Sequence, residues 1–155
     1  MFNGVKLNKA LWLIFILSLL GLADTGYLTE SHLNRTALVC GAVSSLSKCN
    51  LVANSSFSSI YGVPVALLGL LFYLAVFFGT AFYFWRGRNN HLLRWLIILA
   101  GAGLIFSLYL LYVQAFILKA FCQYCLASDI LTIAIFIGLL VQYKKDKKSF
   151  PQAGE

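Results

Sequence analysis

The sequence predicts an all-α integral membrane fold: a four-transmembrane-helix bundle with a long outer-face loop between helices 1 and 2. Three observations predict it. The 155-residue chain is 61% hydrophobic and only 11% charged, with a mean hydropathy of +0.84. A typical globular chain carries about 25% charged residues, so polar surface here is too scarce to cover a water-facing body. The apolar residues fall into four long runs, and a membrane helix needs roughly 20 apolar residues to cross the hydrocarbon core. The cations sit in short clusters between those runs. That clustering also argues against nucleic acid as a partner, despite a net charge of +7. No basic face interleaves with exposed aromatics.

The first run spans about residues 10–27, with Asp24 near its far end. Lys6 and Lys9 ahead of an uncharged stretch resemble the start of a secretory signal peptide. Leu22-Ala23 is a poor small-residue cleavage site, so the run is read as a retained helix. Asp24 is read as meeting water at the outer end. Residues 29–62 form a polar, Ser- and Asn-rich outer loop. The second run covers about 63–85, the third 95–118 and the fourth 120–143. All four are apolar nearly all round, as bundle or lipid-facing helices are. The remainder, 144–155, reads as a cytoplasmic tail, with Lys144–Lys148 as its anchor. The whole of 1–155 reads as one membrane domain. Gly69, Gly79, Gly101 and Gly103 read as points of close helix packing.

Orientation follows from the cations. With the N-terminus inside, Lys6, Lys9, Arg86, Arg88, Arg94, Lys144, Lys145, Lys147 and Lys148 are cytoplasmic, against Arg35, Lys48 and Lys119 outside. The bias matches the positive-inside rule and an even number of spans. Both termini are then cytoplasmic.

The four cysteines then all fall on the outer side, where disulfides persist. Cys40 and Cys49 lie in the loop. Cys122 and Cys125 open the fourth run. Two cysteines three apart at a helix start are the arrangement of a reversible redox pair, because the helix N-terminus favours the thiolate. The thiolate is the species that exchanges. Static disulfides remain an alternative, above all for Cys40 and Cys49, and would describe a non-enzymatic, disulfide-stapled scaffold. A Cys₄ zinc site is a second alternative, but eight residues separate Cys40 from Cys49, against two to four in a usual knuckle. No metal is expected.

Depth adds a direction. Cys122 and Cys125 belong at or just under the membrane surface, where a lipid-soluble quinone reaches and a soluble protein does not. A loop carrying its own cysteine pair reaches both phases. Electrons would pass from partner thiols to the loop pair, then to the helix pair, then to quinone. Asp129, four residues after Cys125, shares its helix face. An acid within a membrane helix is costly and usually functional. It would move protons or hydrogen-bond the quinone, unless it lies shallow enough to meet water.

At this point the residues resemble a known family. The four runs, a cysteine pair in the first outer loop, Phe57-Ser58-Ser59-Ile60-Tyr61-Gly62 ahead of the second run and Phe121-Cys122-Gln123-Tyr124-Cys125 at the fourth look like the vitamin K epoxide reductase family, from about Leu11 to Tyr143. The resemblance implies that Cys40 exchanges with the redox partner, Cys49 relays to Cys122, and Cys125 lies against the quinone. Ser59 matches a Ser/Thr position near the quinone ring, and Phe57 and Gly62 match the segment around it. The acceptor would be a ubiquinone, menaquinone or vitamin K type quinone.

Two departures narrow the expectation. Animal members carry a Thr-Tyr pair after the C-x-x-C, where this chain has Leu126-Ala127-Ser128-Asp129. They also place an asparagine at the start of helix 2, and none is evident here. Epoxide reduction is therefore the alternative reading. The pattern fits prokaryotic members, which oxidise a thioredoxin-like carrier in the cytoplasmic membrane. Many of those carry a fused thioredoxin domain. This chain shows none, so its carrier is expected to be a separate protein.

Overall fold

A computed structural model describes residues 9–34, 52, 55–86 and 90–149. Four helices dominate: α1 (Lys9–Leu33), α2 (Val65–Arg86), α3 (Asn90–Tyr112) and α4 (Gln123–Ser149). All four are long and apolar enough to cross a membrane. The shortest, α2, has 22 residues. At about 1.5 Å per residue it covers the hydrocarbon thickness. Large apolar side chains such as Leu13, Phe78, Trp95, Ile105 and Ile130 point outward. Such a surface suits lipid and not water.

Around the bundle the order is α2, α1, α4, α3. Helix α1 packs extensively on α2 and α4, α3 packs on α4, and α2 and α3 touch sparsely. The core lies between them at Ile14, Val76, Leu93, Leu96, Ala100, Ile135 and Leu139. Close approach of α1 and α2 depends on Gly21. A Cβ there would stand 2.2 Å from Cε1 of Tyr73, inside the ring's own space. The missing side chain lets the buried Tyr73 lie across the bundle. On the other side of α2, the Phe72 ring fills the space that a Cβ on Gly103 of α3 would need, at 2.6 Å.

Two threonine hydroxyls of α1 bond back to their own helix. Thr25 donates to the Gly21 carbonyl at 2.7 Å and Thr29 to the Thr25 carbonyl at 2.7 Å. Such local bonds satisfy polar groups where no water is present. They also carry α1 to Leu33, beyond the expected end near Tyr27.

Ahead of α2 sits a minimal hairpin, β1 (Ser59–Ile60) and β2 (Val63–Pro64), paired antiparallel with Ser59 opposite Pro64 and Ile60 opposite Val63. Tyr61 and Gly62 form its two-residue turn, with φ of 50° and 81°. Positive φ at both central residues is the type I′ pattern, whose twist matches a hairpin. Glycine adopts it without strain, whereas for Tyr61 the left-handed region costs roughly 1–2 kcal/mol. The Val65 N–H donates to the Ser58 carbonyl at 2.8 Å, joining the hairpin to α2.

The far end of α4 differs from the expected tail. The helix continues through Lys144–Lys147, and Asp146 is 3% exposed. The Tyr83 hydroxyl of α2 donates to one carboxylate oxygen of Asp146, and Gln142 Nε2 donates to the other at 3.1 Å. Here a tyrosine two helices away draws the acid inward.

Candidate functional site

The cysteine end of the bundle is shaped by an irregular stretch in α3. After Tyr112 the helix widens into a π-helical segment, Val113–Leu118, and closes on Lys119 in the left-handed conformation, φ 47°. The wider turn carries Gln114 inward, where it is 3% exposed. Its carbonyl accepts the N–H of Lys119 and that of Ala120, the latter at 3.1 Å. Its side-chain Oε1 accepts the N–H of Cys122 at 3.0 Å. One residue thus holds the turn by backbone and side chain together. Single-turn π insertions of this kind occur often at functional sites.

The turn sets the start of α4 at Gln123 and not near Ala120. Cys122 becomes the N-cap residue: its carbonyl accepts the Leu126 N–H at 3.0 Å. Its Sγ accepts the Cys125 N–H at 3.4 Å. A serine or aspartate oxygen usually holds that third N–H of a helix, and here a sulfur does. Cys122 is buried and Cys125 half-buried.

Both cysteines line a cavity of about 210 Å³. All four helices contribute to its wall, and so does the segment leading to the hairpin. The wall is mostly apolar, with the rings of Phe57, Phe72 and Phe106 and the side chains of Leu68, Leu110 and Val113. Several of the polar side chains on it are held by hydrogen bonds. The Ser107 hydroxyl of α3 donates to Oδ1 of Asp129. The other oxygen, Oδ2, is buried with no hydrogen-bond partner among the described residues.

Two further ties reach the same part of α4. The Ser128 hydroxyl donates to Oδ2 of Asp24, on α1, at 2.6 Å. The Tyr73 hydroxyl, from α2, donates to the Ser128 carbonyl at 2.8 Å and lies 3.1 Å from Thr132 Oγ1. Thr132 donates to that same carbonyl at 2.9 Å. Asp24 is therefore a bonded, half-buried group and not a solvated helix end.

Of the residues singled out in sequence, Cys122, Cys125, Asp129 and Phe57 meet at the cavity. Ser59 lies in β1 and Gly62 in the exposed turn, and neither is on the cavity wall. Ser55 and Ser58 are. The chain enters the hairpin after Ser58, and Ser59 and Gly62 lie off the wall. Cys40 and Cys49 lie outside the described residues. Sequence reasoning missed Gln114, Ser107, Ser128 and Tyr73. Their only signal is a polar atom within an apolar run, which is costly unless bonded.

A bundle of membrane-length helices, with a C-x-x-C pair at a helix start facing an apolar cavity, defines a class of integral membrane redox proteins. Residues 12–140 match the sequence model of the vitamin K epoxide reductase family, and the chain belongs to that family. Its members are oxidoreductases, so this is an integral membrane protein with a redox role.

Proposed function

We infer that the protein is a thiol–quinone oxidoreductase that forms disulfides in a thioredoxin-like carrier. The observation that carries this reading is the joint placement on one apolar cavity of Cys122, Cys125 and Asp129, one of whose oxygens is buried without a partner among the described residues. Cavities of about 150 Å³ take up benzene. A space of about 210 Å³ suits a quinone ring rather than a whole isoprenoid molecule. A buried acceptor or donor without a partner marks where a ligand's polar group belongs. With its proton on, that Asp129 oxygen would donate to a carbonyl oxygen of a quinone ring, which accepts two electrons and two protons.

The chain's own residues supply exchange, position and a dry site. The carrier's dithiol reduces the Cys40–Cys49 disulfide, and the carrier becomes the disulfide. A Cys49 thiolate then attacks Cys122 Sγ, the Cys122–Cys125 bond breaks, and Cys125 leaves as the thiolate. Cys40 attacks Cys49, restoring the loop disulfide and releasing Cys122. The reduced pair gives two electrons to the quinone as the Cys122–Cys125 bond reforms. Protons come from the thiols, with Asp129 placed to hand one across the cavity. The sum is carrier dithiol plus quinone giving carrier disulfide plus quinol. The cysteine end faces outward and both termini face the cytoplasm of a prokaryote, as the cation bias supports.

The test uses the full chain in detergent with a reduced thioredoxin-like donor and a short-chain quinone. Donor oxidation and quinone absorbance are followed together. The expected result is one-to-one coupling, abolished in Cys122→Ser and Cys125→Ser. Folded protein that turns over no donor with any quinone would leave the cysteines as structural staples.

A further inference from the structure

The sequence patterns that point to redox chemistry stop at the cysteines. The structure adds a residue eight positions earlier that belongs to the same centre. Gln114 sits in the π segment, buried, with Oε1 on the Cys122 N–H at 3.0 Å and its carbonyl on the N–H groups of Lys119 and Ala120. It also borders the cavity. An ordinary α-helical turn would bring no side chain back to the N-cap of the next helix in this way. The five-residue spacing of the π turn does.

The contact matters because of what Cys122 does with its two ends. Its peptide N–H is fixed by Gln114. Its Sγ rests on the Cys125 N–H at 3.4 Å. An N–H aimed at a sulfur stabilises negative charge there and so favours the reduced, thiolate form over the disulfide. The sulfur reaches that N–H only while the Cys122 backbone keeps its place before α4.

We propose that Gln114 is a positioning residue of the redox centre, holding the Cys122 backbone so that its sulfur stays on the N-terminus of α4. The proposal rests on the redox reading above. Gln114 touches neither reacting sulfur; it acts through the Cys122 peptide. Its loss weakens the Cys125 N–H to Cys122 Sγ contact and moves the thiol–disulfide equilibrium toward the disulfide.

The test measures that equilibrium directly. Full-length protein in detergent is held in glutathione buffers of graded ratio, and each cysteine is scored by differential alkylation and mass spectrometry. In the reaction followed, the S–S bond of oxidised glutathione breaks and the Cys122–Cys125 bond forms. Two electrons pass from the pair to glutathione, and the two thiol protons end on two molecules of reduced glutathione. Gln114→Met keeps the side-chain length and removes the acceptor. Gln114→Glu keeps an acceptor at the same reach. The expected result is a shift toward the disulfide in Gln114→Met of roughly tenfold in the equilibrium constant, the scale of one hydrogen bond. Gln114→Glu is expected to lie closer to wild type. Should Gln114→Met not fold, Gln114→Asn, which shortens the reach of the amide, takes its place with the same expectation.

A purely structural residue would lower the melting midpoint and leave the equilibrium where it was. An equilibrium within twofold of wild type in Gln114→Met, or an equal shift in both variants, overturns the positioning role. Absence of a reversible equilibrium in the wild-type protein overturns the redox reading, and the proposal with it. That outcome is told apart because it appears before any substitution.

Discussion

The hydroxyl of Tyr73 donates to the backbone carbonyl of Ser128 at 2.8 Å, joining α2 to α4 across the bundle three residues beyond Cys125. The carbonyl also takes the Thr132 hydroxyl. Tyr73→Phe therefore leaves the Thr132 hydroxyl, with the helix's own N–H, on that carbonyl. Helix–helix hydrogen bonds in membranes average about 0.6 kcal/mol, so the loss should be about that size, with the fold intact. Denaturant unfolding in detergent reads it. Gly21→Ala should cost more, about 1–3 kcal/mol, because its Cβ meets the Tyr73 ring rather than the hydroxyl. Adding Tyr73→Phe should not relieve that cost.

Asp129, on the cavity wall, presents one oxygen to Ser107, and its other oxygen is buried without a partner among the described residues. Asp129→Asn keeps the shape and removes the transferable proton. Quinone reduction should slow roughly 100-fold, the lower range for a lost general acid or base. Thiol exchange with the donor should persist. Stopped-flow separation of the two half-reactions checks this, and an equal loss in both would refute the assignment.

Gly103 faces the Phe72 ring across the sparse α2–α3 contact. Gly103→Val should drive Phe72 toward the cavity that both residues line. The expected outcome is a raised KM for quinone and an unchanged KM for the dithiol donor. Steady-state kinetics with each substrate varied in turn gives the answer.

Tyr83 and Asp146 lie at the other end of the bundle. Tyr83 is ten residues from Tyr73, or about 15 Å along α2. Tyr83→Phe removes a donor from a buried carboxylate and should cost about 1–3 kcal/mol of stability. Turnover at temperatures well below melting should stay at the wild-type level. A fall in kcat there would show that the two ends are coupled.

Four spans were legible because each is apolar on every side, so no register has to be known to see them. Their ends were not. Helix α1 passes Tyr27 because Thr29 bonds to its own helix, which lowers the cost of a polar residue at that depth. Helix α4 starts at Gln123 because Lys119 turns left-handed, and nothing in a lysine announces that. Cys122 and Cys125 were legible from spacing alone, and Asp129 from the rarity of an acid in an apolar run. Gln114 was not, since its partner depends on a π turn that shifts the helical count by one residue. Asp146 was hidden because its donor, Tyr83, stands 63 residues away in the chain.

Each of the other three helices grips the first turns of α4 by a separate hydrogen bond: α1 through Asp24, α2 through Tyr73 and α3 through Ser107. To slide or tilt, α4 would have to break all three at once. The cysteine-bearing helix is thus clamped like a bearing held on three sides, and sliding as a piston costs it all three bonds. Motion at this end is left to the rotation of side chains and to whatever approaches the clamped sulfurs, so the geometry of each encounter is decided by the visitor and not by the scaffold.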